Sequence, residues 1–164
     1  RLYQMAQFYL YEPSAGLYGC PLAMTNGAAR TIEVSMCRDP QTFWTSGQWM
    51  TEKRGGSDVA GGTETVAVEQ PEGTYKLYGY KWFSSATDAD ITLTLARIVD
   101  DHGSTVKGTR GLSLFYLDVK GQKSNIQLVK LKNKLGTRQL PTAELLIEGA
   151  TAHKVSLNSK FHDG

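Results

Sequence analysis

Apolar and polar positions fall into two regimes along the chain. In the first 38 residues Leu2, Met5, Ala6 and Tyr9 recur at helical spacing, and Leu17, Leu22, Ala28, Ala29, Ile32 and Met36 continue the pattern intermittently. Pro13, Pro21 and several glycines cut it into pieces, so one or two short helices are predicted. Asp39-Pro40 marks a boundary, because the residue before a proline is pushed out of the helical region. From Gln48 onward the period shortens to two. Thr63-Glu64-Thr65-Val66-Ala67-Val68-Glu69 alternates, Pro71-Glu72-Gly73 turns, and Tyr75 to Phe83 is an aromatic-rich strand, which together predict a hairpin. Further strands are predicted over Ile91–Val99, Leu112–Val119, Ile126–Leu131 and Ala143–Glu148, with a polar loop from Asp100 to Arg110. The alternation aims Val66, Val68, Leu77, Leu93, Leu95, Leu114, Leu128 and Leu145 inward. Short strands without long helices between them predict a mainly β fold, an antiparallel barrel or sandwich and not βαβ units.

Composition narrows the functional classes. With 40% hydrophobic and 21% charged residues in 164, the chain is neither a disordered tail nor a disulfide-dense mini-protein. No run approaches the roughly 18 apolar residues that a membrane helix needs. A net charge of +2 gives no electrostatic case for nucleic acid or for an anionic membrane. Cys20 and Cys37 cannot build a disulfide framework, and His102, His153 and His162 are spaced too widely for a metal-ligand pair. The lack of an Asn-x-Ser/Thr sequon favours an intracellular setting, mitochondrial or cytoplasmic. The chain opens on Arg1 without a signal stretch and stops at Phe161-His162-Asp163-Gly164, so it reads as a piece of a longer polypeptide.

Three segments carry candidate chemistry. In Gln48-Trp49-Met50-Thr51-Glu52-Lys53-Arg54-Gly55-Gly56-Ser57-Asp58, the glycine pair lets backbone N–H groups approach an anionic or carbonyl-bearing ligand, although an ordinary turn has the same composition. It is not a P-loop, since Ser-Asp follows the glycines. In Lys81-Trp82-Phe83-Ser84-Ser85, an aromatic with a hydroxyl two residues later can stack a planar ring and bond its edge, or can simply build an aromatic core strand. Lys132 to Leu145 is a basic loop entering a strand.

Together the three segments resemble the acyl-CoA dehydrogenase family. Met50-Thr51-Glu52-Lys53-Arg54-Gly55-Gly56-Ser57-Asp58, Gly79-Tyr80-Lys81-Trp82-Phe83-Ser84-Ser85, and Lys134-Leu135-Gly136-Thr137-Arg138 with Pro141-Thr142-Ala143-Glu144-Leu145 come in the family's order and spacing. The resemblance covers about residues 44–150 and is most similar to the branch named for AidB. It implies residues 1–43 as the last helices of an N-terminal helical domain, 44–154 as a flavin-binding middle β-domain, and 155–164 as a cut tail. It implies FAD as cofactor, held by Gln48, Trp49, Met50, Thr51, Gly55, Gly56, Ser57, Phe83, Ser84 and Ser85, with Ser57 also near the acyl-thioester. The Thr51 hydroxyl would reach the ring's reactive nitrogen side, and Phe83-Ser84-Ser85 would cover the dimethylbenzene side and donate a hydroxyl; a donor at the nitrogen edge stabilises arriving negative charge.

Lys53 and Arg54 replace the family's usual Pro and Gly, Phe83 its Trp, and Ser85 its Thr. The implied reaction is α,β-dehydrogenation of an acyl-CoA by a homo-oligomeric full-length protein. The family's catalytic glutamate lies on a C-terminal helical domain, so no catalytic residue is assigned here. Two other expectations stand beside this one: a non-catalytic FAD- or acyl-CoA-binding module, and a lipocalin-like small-ligand barrel.

Overall fold

The structure, a computed structural model, describes residues 2–32 and 44–155. The Asp39-Pro40 boundary, Met36, Cys37, His162 and all but the first residue of the expected 155–164 tail lie outside the described residues.

Two short helices open the chain, as the broken apolar pattern predicts. α1 (Leu2–Tyr11) ends at a 3-10 turn (Glu12–Ser14), where Pro13 sits near the turn's start and its missing N–H interrupts nothing. α2 (Gly19–Ile32) follows and meets the rest of the chain through Thr25, whose hydroxyl accepts the Ser46 N–H at 3.0 Å in a buried contact. No helix among the described residues is long and apolar enough to cross a membrane.

Among the described residues seven strands follow: β1 (Ser46–Trp49), β2 (Val66–Glu69), β3 (Tyr75–Ser85), β4 (Ile91–Ile98), β5 (Leu112–Asp118), β6 (Ile126–Leu131) and β7 (Thr142–Lys154), with a one-turn helix α3 (Val59–Gly62) before β2. They close into a ring in the order β4-β2-β3-β7-β5 and back to β4, with β1 attached to β4 and β6 to β7. The mainly β, barrel-like fold expected from the period-two segments is what forms. Two pairings, β1–β4 and β2–β4, are parallel and lie outside the antiparallel expectation. Both follow from one connection: residues 50–65 carry the chain from β1 around to β2, which then rejoins the same edge of β4 in the same direction, a return too long for a hairpin. β7 is longer than its apolar run suggests. It pairs with β3 along one edge and with β6 and then β5 along the other, and Gly149 (φ +73°) lies at the changeover.

One end of the barrel is filled by Tyr75, Leu77, Phe115, Leu117 and Ile147, with the Tyr75 and Phe115 rings edge to face at 5.2 Å. The other end holds Trp49, Val119, Ala143 and Leu145. Of the positions expected to face inward, Leu77, Leu93 and Leu145 are buried and Val66, Leu95 and Leu114 are half-buried. Val68 and Leu128 are exposed, at 38% and 49%, which corrects the expectation for both. Around β2 the buried phase is Thr63, Thr65 and Ala67, so the valines take the opposite face. Leu128 lies on β6, which among the described residues pairs with β7 alone and sits off the closed ring.

Asp90 fastens the barrel's opening strands. Its carboxylate accepts the Thr45 N–H at 2.7 Å and the Thr45 hydroxyl at 2.8 Å, and pairs with Lys120. Burial pushes this carboxyl up, but the bonds from Lys120 and Thr45 outweigh it and pull it down to about 2. A carboxylate held below its unfolded value stabilises the fold above about pH 4, and that contribution is lost as the pH falls toward 2. Thermal unfolding of Asp90→Asn is therefore expected to show a shallower fall in Tm between pH 4 and 2 than the parent chain, starting from a lower value at pH 7. Parallel pH profiles for the two chains would show that Asp90 is not responsible.

Candidate functional site

The first motif leaves β1 at Trp49 and is held down by what lies around it. Trp49 is fully buried, its indole N–H donates to the Ser85 carbonyl at 3.1 Å, and its own carbonyl accepts the Thr94 hydroxyl at 2.5 Å. Two residues on, the Thr51 carbonyl accepts the Trp82 N–H at 2.9 Å. These bonds lay the Trp49–Thr51 stretch beside the Trp82–Ser85 end of β3, so the first two motifs form one surface. Met50, Thr51 and Ser85 are half-buried on it, and Phe83 is 45% exposed. Among the described residues the Thr51 hydroxyl makes no hydrogen bond, and the buried Ser84 hydroxyl has no partner.

Glu52, the next residue, turns into the barrel and is only 3% exposed. Its carboxylate accepts the Lys81 ammonium at 2.6 Å, the Glu64 N–H at 2.6 Å and the Thr65 hydroxyl at 2.5 Å. Lys81 is fully buried and also donates to the Leu95 carbonyl at 3.0 Å. Burial pushes the Lys81 amine below its ordinary range, and the Glu52 charge opposes that shift. Gly79 makes room for this cluster, since a Cβ there would stand 2.2 Å from the Thr65 hydroxyl oxygen.

The glycine pair divides its work. Gly55 is buried because its backbone crosses that of Gly62 at the end of α3, where a Cβ on Gly62 would lie 2.2 Å from Gly55 Cα. Gly55 therefore serves packing within the loop. Gly56 is exposed and a Cβ there would meet nothing within 4 Å, so packing within the loop does not require a glycine at this position. Ser57 is exposed in the same loop, and no hydrogen bond joins it to Thr51 or Ser85 among the described residues. Gln48 is exposed on β1, its amide nitrogen 3.6 Å from where a Cβ on Gly27 of α2 would lie.

The third motif joins the second. The Ser85 hydroxyl lies 2.9 Å from that of Thr142, and Lys134 donates to the Thr142 hydroxyl at 3.0 Å and to the Leu140 carbonyl at 2.7 Å. On the outer side of β3, Glu144 pairs with Lys132 at 2.6 Å and accepts the Tyr80 hydroxyl. The bonds from Lys132 and then Tyr80 hold the Glu144 carboxyl below its ordinary range. The Lys132 ammonium also stands 3.1 Å from the Trp82 ring centre.

Reading the segments by composition passes over Glu52, Lys81, Thr65 and Arg97. The phase of β3 carries the signal for Lys81, since Tyr75, Leu77 and Lys81 share the inward face and a buried lysine requires a partner. For Arg97 no such signal exists. It is 7% exposed and caps backbone carbonyls instead of a carboxylate: Thr63 at 2.8 Å, Val106 at 2.7 Å, Gly108 at 2.9 Å and Ala60.

Comparison with known proteins bears on this arrangement. Residues 47–150 match the family described as acyl-CoA dehydrogenase, middle domain. Acyl-CoA dehydrogenase family member 11 of Caenorhabditis elegans is 54% identical over 174 residues, which takes in 94% of this chain and 28% of that one. AidB of Escherichia coli (strain K12) is 31% identical over 180 residues, with 94% and 31% covered. The particular likeness to AidB expected from the motifs is thus weaker than the likeness to family member 11. Among solved structures, C. elegans ACDH-11 in complex with C11-CoA superposes with a TM-score of 0.89 at 55% identity, over 93% of this chain and 29% of that one. Bd2924 in its apo-form gives 0.82 at 47%, over 94% and 34%. The chain spans less than a third of the length of these two curated relatives. With the match running from β1 into β7, and the three motifs brought together on that barrel, the chain belongs to the acyl-CoA dehydrogenase family.

Proposed function

We propose that this chain supplies the flavin-contacting part of an FAD-dependent acyl-CoA dehydrogenase. Members of the family are FAD-dependent oxidoreductases. The observation that carries the reading is the pair of bonds, Trp82 N–H to Thr51 and Trp49 indole to Ser85, that sets two motifs far apart in sequence edge to edge.

The residues fit a planar heteroaromatic ring. Phe83 offers an exposed aromatic ring, Met50 is half-buried beside it, and Thr51 has a hydroxyl without a partner among the described residues. Met50, Thr51, Phe83 and Ser85 would hold the flavin, with Gln48, Trp49 and Ser84 behind it. Gly55, Gly56 and Ser57 would flank the pyrophosphate and the thioester arm of an acyl-CoA. When bound, the flavin supplies the hydride acceptor for α,β-dehydrogenation. The chain's own groups orient it, exclude water from one side, and present donors where negative charge arrives.

An acyl-CoA ligand accords with the C11-CoA bound by ACDH-11, and identity places the chain nearer to family member 11 than to AidB. Residues 1–43 would close an N-terminal helical domain, and full-length copies would associate.

Mixing the FAD-loaded full-length protein with acyl-CoAs tests the reading. Bleaching of the oxidised-flavin absorption is expected. Bound flavin that no acyl-CoA bleaches would favour a non-catalytic binding module, and a protein that takes up no flavin would overturn the proposal. Residues 1–164 alone are expected to show no turnover, because removal of an α-proton needs a positioned base and the family's base lies outside them. Their FAD affinity should be at least about tenfold weaker than that of the full-length protein, or about 1.4 kcal/mol.

A further inference from the structure

Ser85 has one hydroxyl proton, so what it offers a bound ring depends on where that proton points. Thr142 decides this. Its hydroxyl oxygen lies 3.0 Å from the Lys134 ammonium, 2.9 Å from the Ser85 hydroxyl and 3.4 Å from the Leu140 carbonyl. An ammonium has three donors and no acceptor, so toward Lys134 the Thr142 oxygen accepts. Thr142 then has one proton to give and two oxygens within range. O–H···O bonds centre at about 2.7–2.8 Å and seldom exceed about 3.0 Å, which favours Ser85 over Leu140. The Leu140 carbonyl already receives Lys134 at 2.7 Å. Thr142 is 1% exposed, so water does not compete for its proton. Ser85 therefore accepts from behind, and its own proton is left for the half-open side that the first motif borders.

We propose that Lys134 and Thr142 are positioning residues which fix the polarity of the Ser85 hydroxyl, making it a donor toward a ring-nitrogen edge seated over the Met50–Thr51 stretch. The inference deepens the flavin reading and rests on it. The basic third motif, otherwise a solvated loop, acquires a role: its lysine sets a proton direction two hydroxyls away.

The test uses the full-length protein loaded with FAD and reads the two-electron potential of the bound flavin, with FAD affinity and Tm alongside. Thr142→Val keeps the shape and cannot donate, so the Ser85 hydroxyl is released to rotate. Reduced flavin is then expected to lose about tenfold in binding relative to oxidised flavin, a potential about 30 mV more negative. Thr142→Ser should restore the parent value. Lys134→Met should shift the potential in the same direction, and combining it with Thr142→Val should add little, because both act through one hydroxyl. In a Ser85→Ala background neither substitution should shift it further.

Should Thr142→Val fail to fold, Lys134→Met with and without Ser85→Ala makes the same comparison. A shift with Lys134→Met that persists in Ser85→Ala, or that Thr142→Val does not reproduce, would mean that the lysine charge acts through space and would overturn the inference. An unchanged potential in all variants would overturn it as well. A parent protein that binds no flavin overturns the reading beneath it, and is told apart because the loss appears before any substitution is made.

Discussion

Lys81→Met should destabilise the chain by about 3–5 kcal/mol, the range found when one partner of a buried ion pair is removed. The magnitude comes from what is left behind. Glu52 would remain inside the barrel at 3% exposure with a negative charge and no cation beside it. The Leu95 carbonyl would lose the ammonium at 3.0 Å. Glu52→Gln in the same chain should recover a large part of the loss, since an amide oxygen still accepts from Glu64 and Thr65 without a charge to desolvate. Urea unfolding of the two single variants and the double variant gives the coupling. A Lys81→Met loss below about 1 kcal/mol would show that the pair adds no more than a surface ion pair does. The loop from Thr51 to Gly56 should loosen together with Glu52, because this carboxylate ties it to β3 and to the approach of β2.

Trp49→Ala is expected to cost a similar amount, about 3–5 kcal/mol, for a different reason. Trp49 is the largest fully buried side chain and packs with Val119, Ala143 and Leu145. Truncation opens a cavity in a close-packed end and leaves the Ser85 carbonyl without its indole donor. At roughly 2–4 °C per kcal/mol, Tm should fall by about 6–20 °C. Trp49→Phe separates the two contributions. It keeps most of the ring volume and should lose only about 1–3 kcal/mol through the missing N–H. Flavin affinity of the full-length protein should fall in both variants, because the indole bond sets the end of β3 against β1. Unchanged affinity in Trp49→Phe would show that main-chain pairing alone positions Ser85.

Much of the barrel could be read from period-two alternation, since Leu77, Leu93 and Leu145 face inward where the pattern places them. The reading goes astray where the interior is polar. Val66 and Val68 look like the buried phase of β2, but Thr65 and Ala67 occupy it, because Thr65 must reach Glu52. Hydrophobicity alone cannot report an interior built around a lysine and a glutamate. At the candidate site, the motifs indicate which residues gather, and the bond from Trp82 to Thr51 and the contact between Ser85 and Thr142 account for the gathering. Gly55 shows the limit of composition. In sequence it is indistinguishable from Gly56, and only the crossing with Gly62 reveals that it serves the loop's own packing. The long connection between β1 and β2 hides the parallel pairings for a related reason, since strand direction depends on a path that local patterning does not encode.

The triple partnership of β7 bears on the order in which the molecule can be made. β3 and β5 each keep an open edge, and β6 has no partner at all among the described residues, until β7 arrives, and β7 is the last of these seven strands to be synthesised. Side-chain bonds between β3 and β7 span 64 and 75 residues, Tyr80 to Glu144 and Lys76 to Thr151, alongside the backbone ladder that joins the two strands. At roughly 5–20 residues per second, the earlier strands wait several seconds for their partner. Through that interval the nascent chain carries unpaired strand edges, which are templates for mispairing with other chains. Barrel closure thus waits on the synthesis of β7, and until then the unpaired edges of β3 and β5 are where mispairing would begin.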